Sequence, residues 1–284
     1  MKKSFCLAIQ GGGTRASFCL GVVLAMREAG LMADYVIGTS AGSLIGMMYL
    51  LKDSRGVEDA FIDYMGNKQF VGLSNVIKNG SLFNFSFFYE DISRNRREID
   101  ISSFLESPAK YYAVATDCEE GKPAYFSLDE GDVLRGIEAS CALPLFSRPV
   151  EIGGRHYLDG GTVESLPFHK PLREGKKKIV FVSSRPKGFK KEGSGRSSKL
   201  AAKAIYGKYP KWKEAFLRSI ESYNEEVDEL LKAEEEGKLF AIYPEVPISL
   251  GVAETDRFRL LGAIYEGRKT FQKVRPALKE YLRQ

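Results

Sequence analysis

The feature that most limits how this chain can fold is a unit repeated at its start. An apolar run, a glycine-rich turn and an apolar segment at helical spacing occur twice within residues 4–51. In the first copy residues 4–9 run into Gly11-Gly12-Gly13, and Ala16, Leu20, Val23, Leu24 and Met26 then recur at helical intervals through residues 14–28. In the second, Tyr35-Val36-Ile37 leads into Gly38-Thr39-Ser40-Ala41-Gly42 and an apolar helix over residues 44–51. Two strand–turn–helix units in succession argue for a parallel sheet wrapped by helices.

Farther along, residues 110–116, 123–128, 178–184 and 239–243 read as strands and residues 129–141 as a helix. Residues 150–152 and 156–158 flank Gly153-Gly154, a hairpin signal. Residues 186–199, rich in Gly, Ser and Lys, read as a flexible basic loop that divides the chain. The expected organisation is a core over residues 1–185, that loop, and a mostly helical C-terminal extension over residues 200–284 packed on the core. In the extension Trp212, Phe216, Leu217, Ile220, Tyr223 and Val227 form a covering stripe, while Glu225, Glu226, Asp228, Glu229, Lys232, Glu234, Glu235 and Glu236 read as a solvated face with no chemistry.

Composition excludes several classes of function. A formal net charge of +5 without a dense basic stripe speaks against nucleic acid as a partner. No run approaches the roughly 18 apolar residues that cross a bilayer, so any membrane contact is expected to be peripheral. The opening Met1-Lys2-Lys3 and apolar run imitate a secretory signal, but the run stops at Gln10 in a glycine loop. Cys6, Cys19, Cys118 and Cys141 show no CxxC pair, which removes metal and redox spacing and implies a reducing cytoplasm.

Three elements carry chemistry. Gly38-Thr39-Ser40-Ala41-Gly42 is a G-x-S-x-G between strand and helix, where a nucleophile elbow exposes its serine and where an N-capping serine would also fit. Gly11-Gly12-Gly13 can aim backbone N–H groups at an oxyanion or a phosphate. A dinucleotide reading of that loop finds an acid, Asp34, at the right separation, but Asp34 precedes the second strand, at the opposite end of the sheet from a ribose. The third element, Asp159-Gly160-Gly161, follows the hairpin and on its own is a turn.

In this order, glycine loop, G-x-S-x-G and Asp-Gly-Gly, the sequence resembles the patatin-like phospholipase family over about residues 4–173. The stretch 139–146 (ASCALPLF) fits its bacterial members. The resemblance implies a three-layer α/β/α fold with a mostly parallel sheet, and a serine lipid acyl hydrolase of phospholipase A or lysophospholipase type. It implies Ser40 as nucleophile, Asp159 as its partner in a Ser-Asp dyad, Gly11, Gly12 and Gly13 as the oxyanion hole and Arg15 in the basic position of that loop. Ala16 stands where the family usually has glycine. The expected substrate is a phospholipid or other acyl-ester lipid, with no cofactor and no metal. A non-catalytic lipid- or membrane-binding adaptor with the same fold is the alternative, and nucleotide binding at the glycine loop a third reading.

The remaining features have plainer expectations. His156 and His169 are the only two histidines, and both are expected to be structural rather than triad members. The aromatics of residues 81–89 suit either an acyl channel or core packing. Lys176-Lys177-Lys178 and the basic loop suit a solvated face first and anionic headgroups second.

Overall fold

The centre of the sheet is the first apolar run. In the computed structural model, which describes residues 4–53, 55–95, 99–193 and 206–284, strand β1 (Cys6–Ile9) is buried along its whole length. It pairs in parallel with β2 (Tyr35–Thr39) on one side and β7 (Ile179–Val182) on the other. Continuous apolar runs of this kind belong to parallel strands covered on both faces. Side chains alternate across β1: Leu7 and Ile9 enter the larger core cluster, Cys6 and Ala8 the smaller one on the other face.

Strand β3 (Lys110–Asp117) extends the parallel set beyond β2, and β8 (Phe240–Ile242) beyond β7. The antiparallel strands β4 (Lys122–Ser127), β5 (Val150–Ile152) and β6 (Arg155–Asp159) gather at β3. Residues 112–117 of β3 pair with β4 along one edge. The other edge is therefore shared, residues 110–114 with β2 and residues 115–117 with β6.

Helices cover both faces. Among the described residues they are α1 (Ser17–Glu28), α2 (Ala41–Leu50), α3 (Val57–Gly66), α4 (Leu73–Asn79), α5 (Phe85–Asn95), α6 (Ile101–Leu105), α7 (Val133–Ser140), α8 (His169–Arg173), α9 (Pro210–Glu235) and α10 (Arg257–Tyr281). Helices α1, α2, α7 and α10 build the larger cluster, whereas Tyr223, Val227 and Leu230 of α9 close the smaller one. The fold is thus α/β/α, with a mixed sheet whose central strands are parallel.

Local differences from the sequence reading have backbone causes. The segment 129–141 is a 3-10 turn (Leu128–Glu130) followed by α7, because Gly131 adopts φ 80 and breaks the helix. Residues 13–16 form a 3-10 turn before α1, and the C-terminal helices begin at Pro210 and Arg257. The expectations for residues 194–205 lie outside the described residues.

Helix α10 meets α1 at backbone contact. A Cβ on Gly267 would lie 2.1 Å from the Phe18 carbonyl oxygen, and one on Gly21 would lie 2.0 Å from that of Ile264. Helical glycine normally costs about 1 kcal/mol against alanine, so an isolated Gly→Ala change should stabilise. Gly267→Ala should do the opposite and destabilise by about 1–3 kcal/mol through overpacking. Gly262→Ala, on the open side of the same helix, should stabilise by up to about 1 kcal/mol. Urea unfolding of the two variants beside the parent measures both signs.

Candidate active site

The strand-to-helix turn after β2 carries Ser40 at φ 55 and ψ −131, and Leu145 is the other described non-glycine residue with positive φ. A serine held there is strained, and surrounding contacts must fix it. Glycines on both sides let the turn pack: a Cβ on Gly38 would meet the Gly42 oxygen at 2.3 Å, and one on Gly42 the Ile9 oxygen at 2.3 Å. The Ser40 N–H donates to Ser140 Oγ at 2.8 Å, and that hydroxyl donates to the Val114 oxygen at 2.6 Å.

Asp159 ends β6 and enters the same place. In register, Thr39 pairs with Val114 and Asp159 with Ala115, so the ends of β2 and β6 meet on neighbouring residues of β3. Ser40 Oγ donates to Asp159 Oδ2 at 2.6 Å, and the Gly161 N–H donates to Asp159 Oδ1 at 2.7 Å. Gly160 is required by the close approach, since a Cβ there would lie 2.2 Å from the Val114 oxygen. Asp159 is buried, and burial pushes its pKa up to about 6 against the opposing hydrogen bonds of Ser40 and Gly161 and the charge of Lys191.

The glycine loop lies against this pair. A Cβ on Gly11 would come within 2.7 Å of Ser40 Cβ, and Gly12 and Gly13 adopt φ 132 and 59. Gly13 is followed by Thr14, whose N–H donates to the Val252 oxygen at 3.1 Å. Ala16 is fully buried and its methyl belongs to the core. Arg15 turns toward the C-terminal segment, donating to the Leu250 oxygen at 3.0 Å. Asp34 precedes β2, at the strand end away from the loop, and accepts from Ser4 Oγ.

A cavity of about 270 Å³ opens over these residues. Its lining includes Gly11, Gly12, Gly13, Arg15, Ser40, Asp159 and Gly161 together with Arg185, Lys191, Phe216, Ser219 and Tyr223. A tighter apolar recess of about 30 Å³ reaches Ser40 between Leu44, Phe61, Phe70, Phe83 and Phe85. Of the aromatic segment, Phe83 and Phe85 therefore border the recess, whereas Phe88 is core and stacks on Phe70 at 5.0 Å.

Several of these residues escaped sequence reasoning. Glu226 does not belong to a solvated face: it is 8% exposed and accepts the Leu166 N–H at 3.0 Å, and burial pushes its pKa up to about 8. The helical spacing of Tyr223, Glu226, Val227 and Leu230 was the available signal, masked by the surrounding acids. Lys191 also leaves the solvated class, with burial pushing its pKa down to about 8. Its neighbours are surface pairs, Lys187 with Glu234 at 3.0 Å and Lys190 with Asp228 at 2.7 Å. Lys176 and Lys178 lie over the rings of Tyr35 and Tyr281.

The histidines go elsewhere. His156 Nδ1 meets Glu119 Oε1 at 2.9 Å and His169 Nε2 meets Glu229 Oε2 at 2.6 Å. Among the described residues no group of His, Cys, Asp and Glu is placed to hold a metal ion, and no helix is long and apolar enough to cross a membrane. All four cysteines are buried free thiols.

Sheet order, strained elbow and converging aspartate define a class of α/β/α proteins with a serine–aspartate pair at the strand ends. The chain belongs to the patatin-like phospholipase family, which residues 7–172 match. Residues 209–283 match a separate domain of unknown function (DUF6363). Among its relatives, uncharacterized protein YjjU of Escherichia coli is 27% identical over 184 residues, 63% of this chain and 52% of that protein. Lysophospholipase nte1 of Aspergillus fumigatus is 29% identical over 174 residues, 56% of this chain and 10% of that protein. The chain thus spans about half of the first relative and a tenth of the second. The crystal structure of VipD from Legionella pneumophila aligns over 98% of this chain and 67% of its own, at 15% identity and a TM-score of 0.47.

The burial of Asp159 has a consequence for stability. Its folded pKa lies above the ordinary aspartate value of 3.8, so the native state resists losing this proton. The stability this group contributes is complete below about pH 4 and is lost as pH rises through about 6. Asp159→Asn should therefore raise stability at pH 8 by about 1–3 kcal/mol, an advantage that shrinks toward zero at pH 4. Urea unfolding of the variant and parent at both pH values checks the sign.

Proposed function

We propose that this chain is a serine lipid acyl hydrolase of phospholipase A or lysophospholipase type, working through a Ser40–Asp159 dyad. The observation that carries the reading is the direct 2.6 Å hydrogen bond from Ser40 Oγ to Asp159 Oδ2 at a strained elbow. Family membership and the lysophospholipase relatives support the lipid ester as substrate class.

In this mechanism Ser40 Oγ attacks the acyl carbonyl carbon while its proton passes to Asp159 Oδ2. The backbone N–H groups of the Gly11–Gly12–Gly13 loop receive the charge that develops on the carbonyl oxygen. Collapse of the tetrahedral intermediate breaks the ester bond, and Asp159 returns the proton to the departing alcohol. A water then attacks acyl-Ser40, Asp159 again takes a proton, and the fatty acid leaves with Ser40 restored. The apolar recess beside Ser40 suits the acyl chain. Peripheral contact with a lipid surface is part of the reading.

An adaptor with the same fold would lack an activated serine. A fluorophosphonate probe should label Ser40 in the native protein, and no labelling would favour the adaptor. Ser40→Ala and Asp159→Asn should each lower ester hydrolysis by about a thousandfold or more. His156→Gln and His169→Gln should stay within about tenfold of the parent, roughly 1.4 kcal/mol of barrier. A base with a pKa near 6 makes kcat/KM rise through about pH 6 and level off above it.

A further inference from the structure

The cavity over Ser40 gathers three cations from three separate segments. Arg15 comes from the glycine loop, Arg185 from the end of the segment after β7, and Lys191 from the loop beyond it. None of the three is paired with a carboxylate among the described residues, although lysines of the same loop find Glu234 and Asp228. The two acids whose charges act on Lys191 are already engaged: Asp159 accepts from Ser40 and Gly161, and Glu226 accepts from the Leu166 N–H.

Each cation is held in place and left with donors to offer. Arg15 Nε is buried without a hydrogen-bond partner. The Arg185 guanidinium lies over Phe189 at 4.5 Å. Asn224 clamps the backbone of Lys191 from both sides, accepting its N–H at 2.8 Å and donating to its carbonyl at 3.0 Å, which sets the ammonium 4.0 Å over the Tyr223 ring. Like charges converging in a half-enclosed site repel, and burial and this repulsion together pull Arg15 down to about 10 and Lys191 to about 8. An entering anion removes that cost and satisfies the free donors.

We infer that Arg185 and Lys191, with Arg15, form a subsite for a substrate phosphate that carries no balancing cation, as in an acyl glycerophosphate. The inference rests on the hydrolase reading above and names the headgroup of its substrate. Glycerol places an acyl carbonyl and a phosphate a few bonds apart, and Ser40 and the three cations share one cavity. A trimethylammonium group is poorly served there, because three cations already line the cavity and repel it, and Lys191 sits over the Tyr223 ring.

The test uses the full chain with 1-acyl-glycerol 3-phosphate, the matched 1-acyl-glycerophosphocholine and p-nitrophenyl butyrate as substrates. The parent should prefer the phosphomonoester to the choline ester by about tenfold or more in kcat/KM. The double variant Arg185→Gln/Lys191→Met should erase most of that preference, mainly through KM, and Lys191→Arg should retain it. Glycerol 3-phosphate should bind Ser40→Ala protein saturably in calorimetry and fail to bind once the double substitution is added. Equal rates on the two lipids, or an equal loss on all three substrates in the double variant, would overturn the subsite. Inorganic phosphate binding as tightly as glycerol 3-phosphate, with no lipid preference, would mark a free-anion site and overturn it too. Turnover of p-nitrophenyl butyrate without glycerol 3-phosphate binding removes the subsite and leaves the hydrolase. Binding without turnover of any ester supports the subsite and removes the hydrolase reading.

Discussion

One edge of β3 decides where everything in the site stands. Because β4 occupies the whole opposite edge from residue 112 to 117, β2 and β6 must divide the remaining one between them. They approach from opposite directions and stop at Val114 and Ala115, so the residues at their ends are forced together. Ser140 fits into the junction, accepting from Ser40 N–H and donating to the Val114 oxygen, which the end of the ladder leaves available. A strained serine conformation persists only where its surroundings over-determine it. Here the ladder, the Ser140 hydroxyl and the glycine contacts at residues 38 and 42 all act on the same turn.

The C-terminal part of the chain is joined to that junction through both cores. Strand β8 extends the sheet beside β7, and α10 lies backbone-to-backbone on α1, the helix that follows the glycine loop. On the opposite face α9 closes the smaller core with Tyr223, Val227 and Leu230. Its Glu226 binds the Leu166 N–H, and Thr39 Oγ1 donates to the Glu164 oxygen at 2.9 Å, so the segment after Asp159 is tied to α9 and to the residue before Ser40. The cavity is lined both by the part that matches the family and by residues beyond it.

What was legible in the sequence was local. The runs at residues 4–9 and 35–37, and the glycines at 11–13, 38 and 42, announce strand, turn and helix because their neighbours in sequence are also their neighbours in space. Ser40 and Asp159 are different, since 119 residues separate them and no periodicity brings them together. The order of motifs and the family resemblance pointed to the pair, whereas the sharing of one β3 edge explains it. Glu226 was misread for the same reason: the acids around it are exposed, and its partner Leu166 lies 60 residues away. Lys191 was hidden in a loop whose other described lysines behave as a solvated face should.

In the proposed mechanism the basicity of Asp159 comes from its burial, which the hydrogen bonds of Ser40 and Gly161 and the charge of Lys191 oppose. A carboxylate in water, with a pKa near 3.9, is a weak base for a serine hydroxyl. Moving it to about 6 makes the proton transfer less unfavourable by about 3 kcal/mol. An ion pair with Asp159 would cancel that gain, because an adjacent positive charge stabilises the carboxylate. Lys191 stops short of such a pair: Tyr223 holds its ammonium and Asn224 its backbone, so it shares the cavity with Asp159 without forming a salt bridge to it. Tyr223 and Asn224 both belong to α9, so the C-terminal region keeps Lys191 from pairing with Asp159 and leaves the carboxylate the basicity that burial gives it.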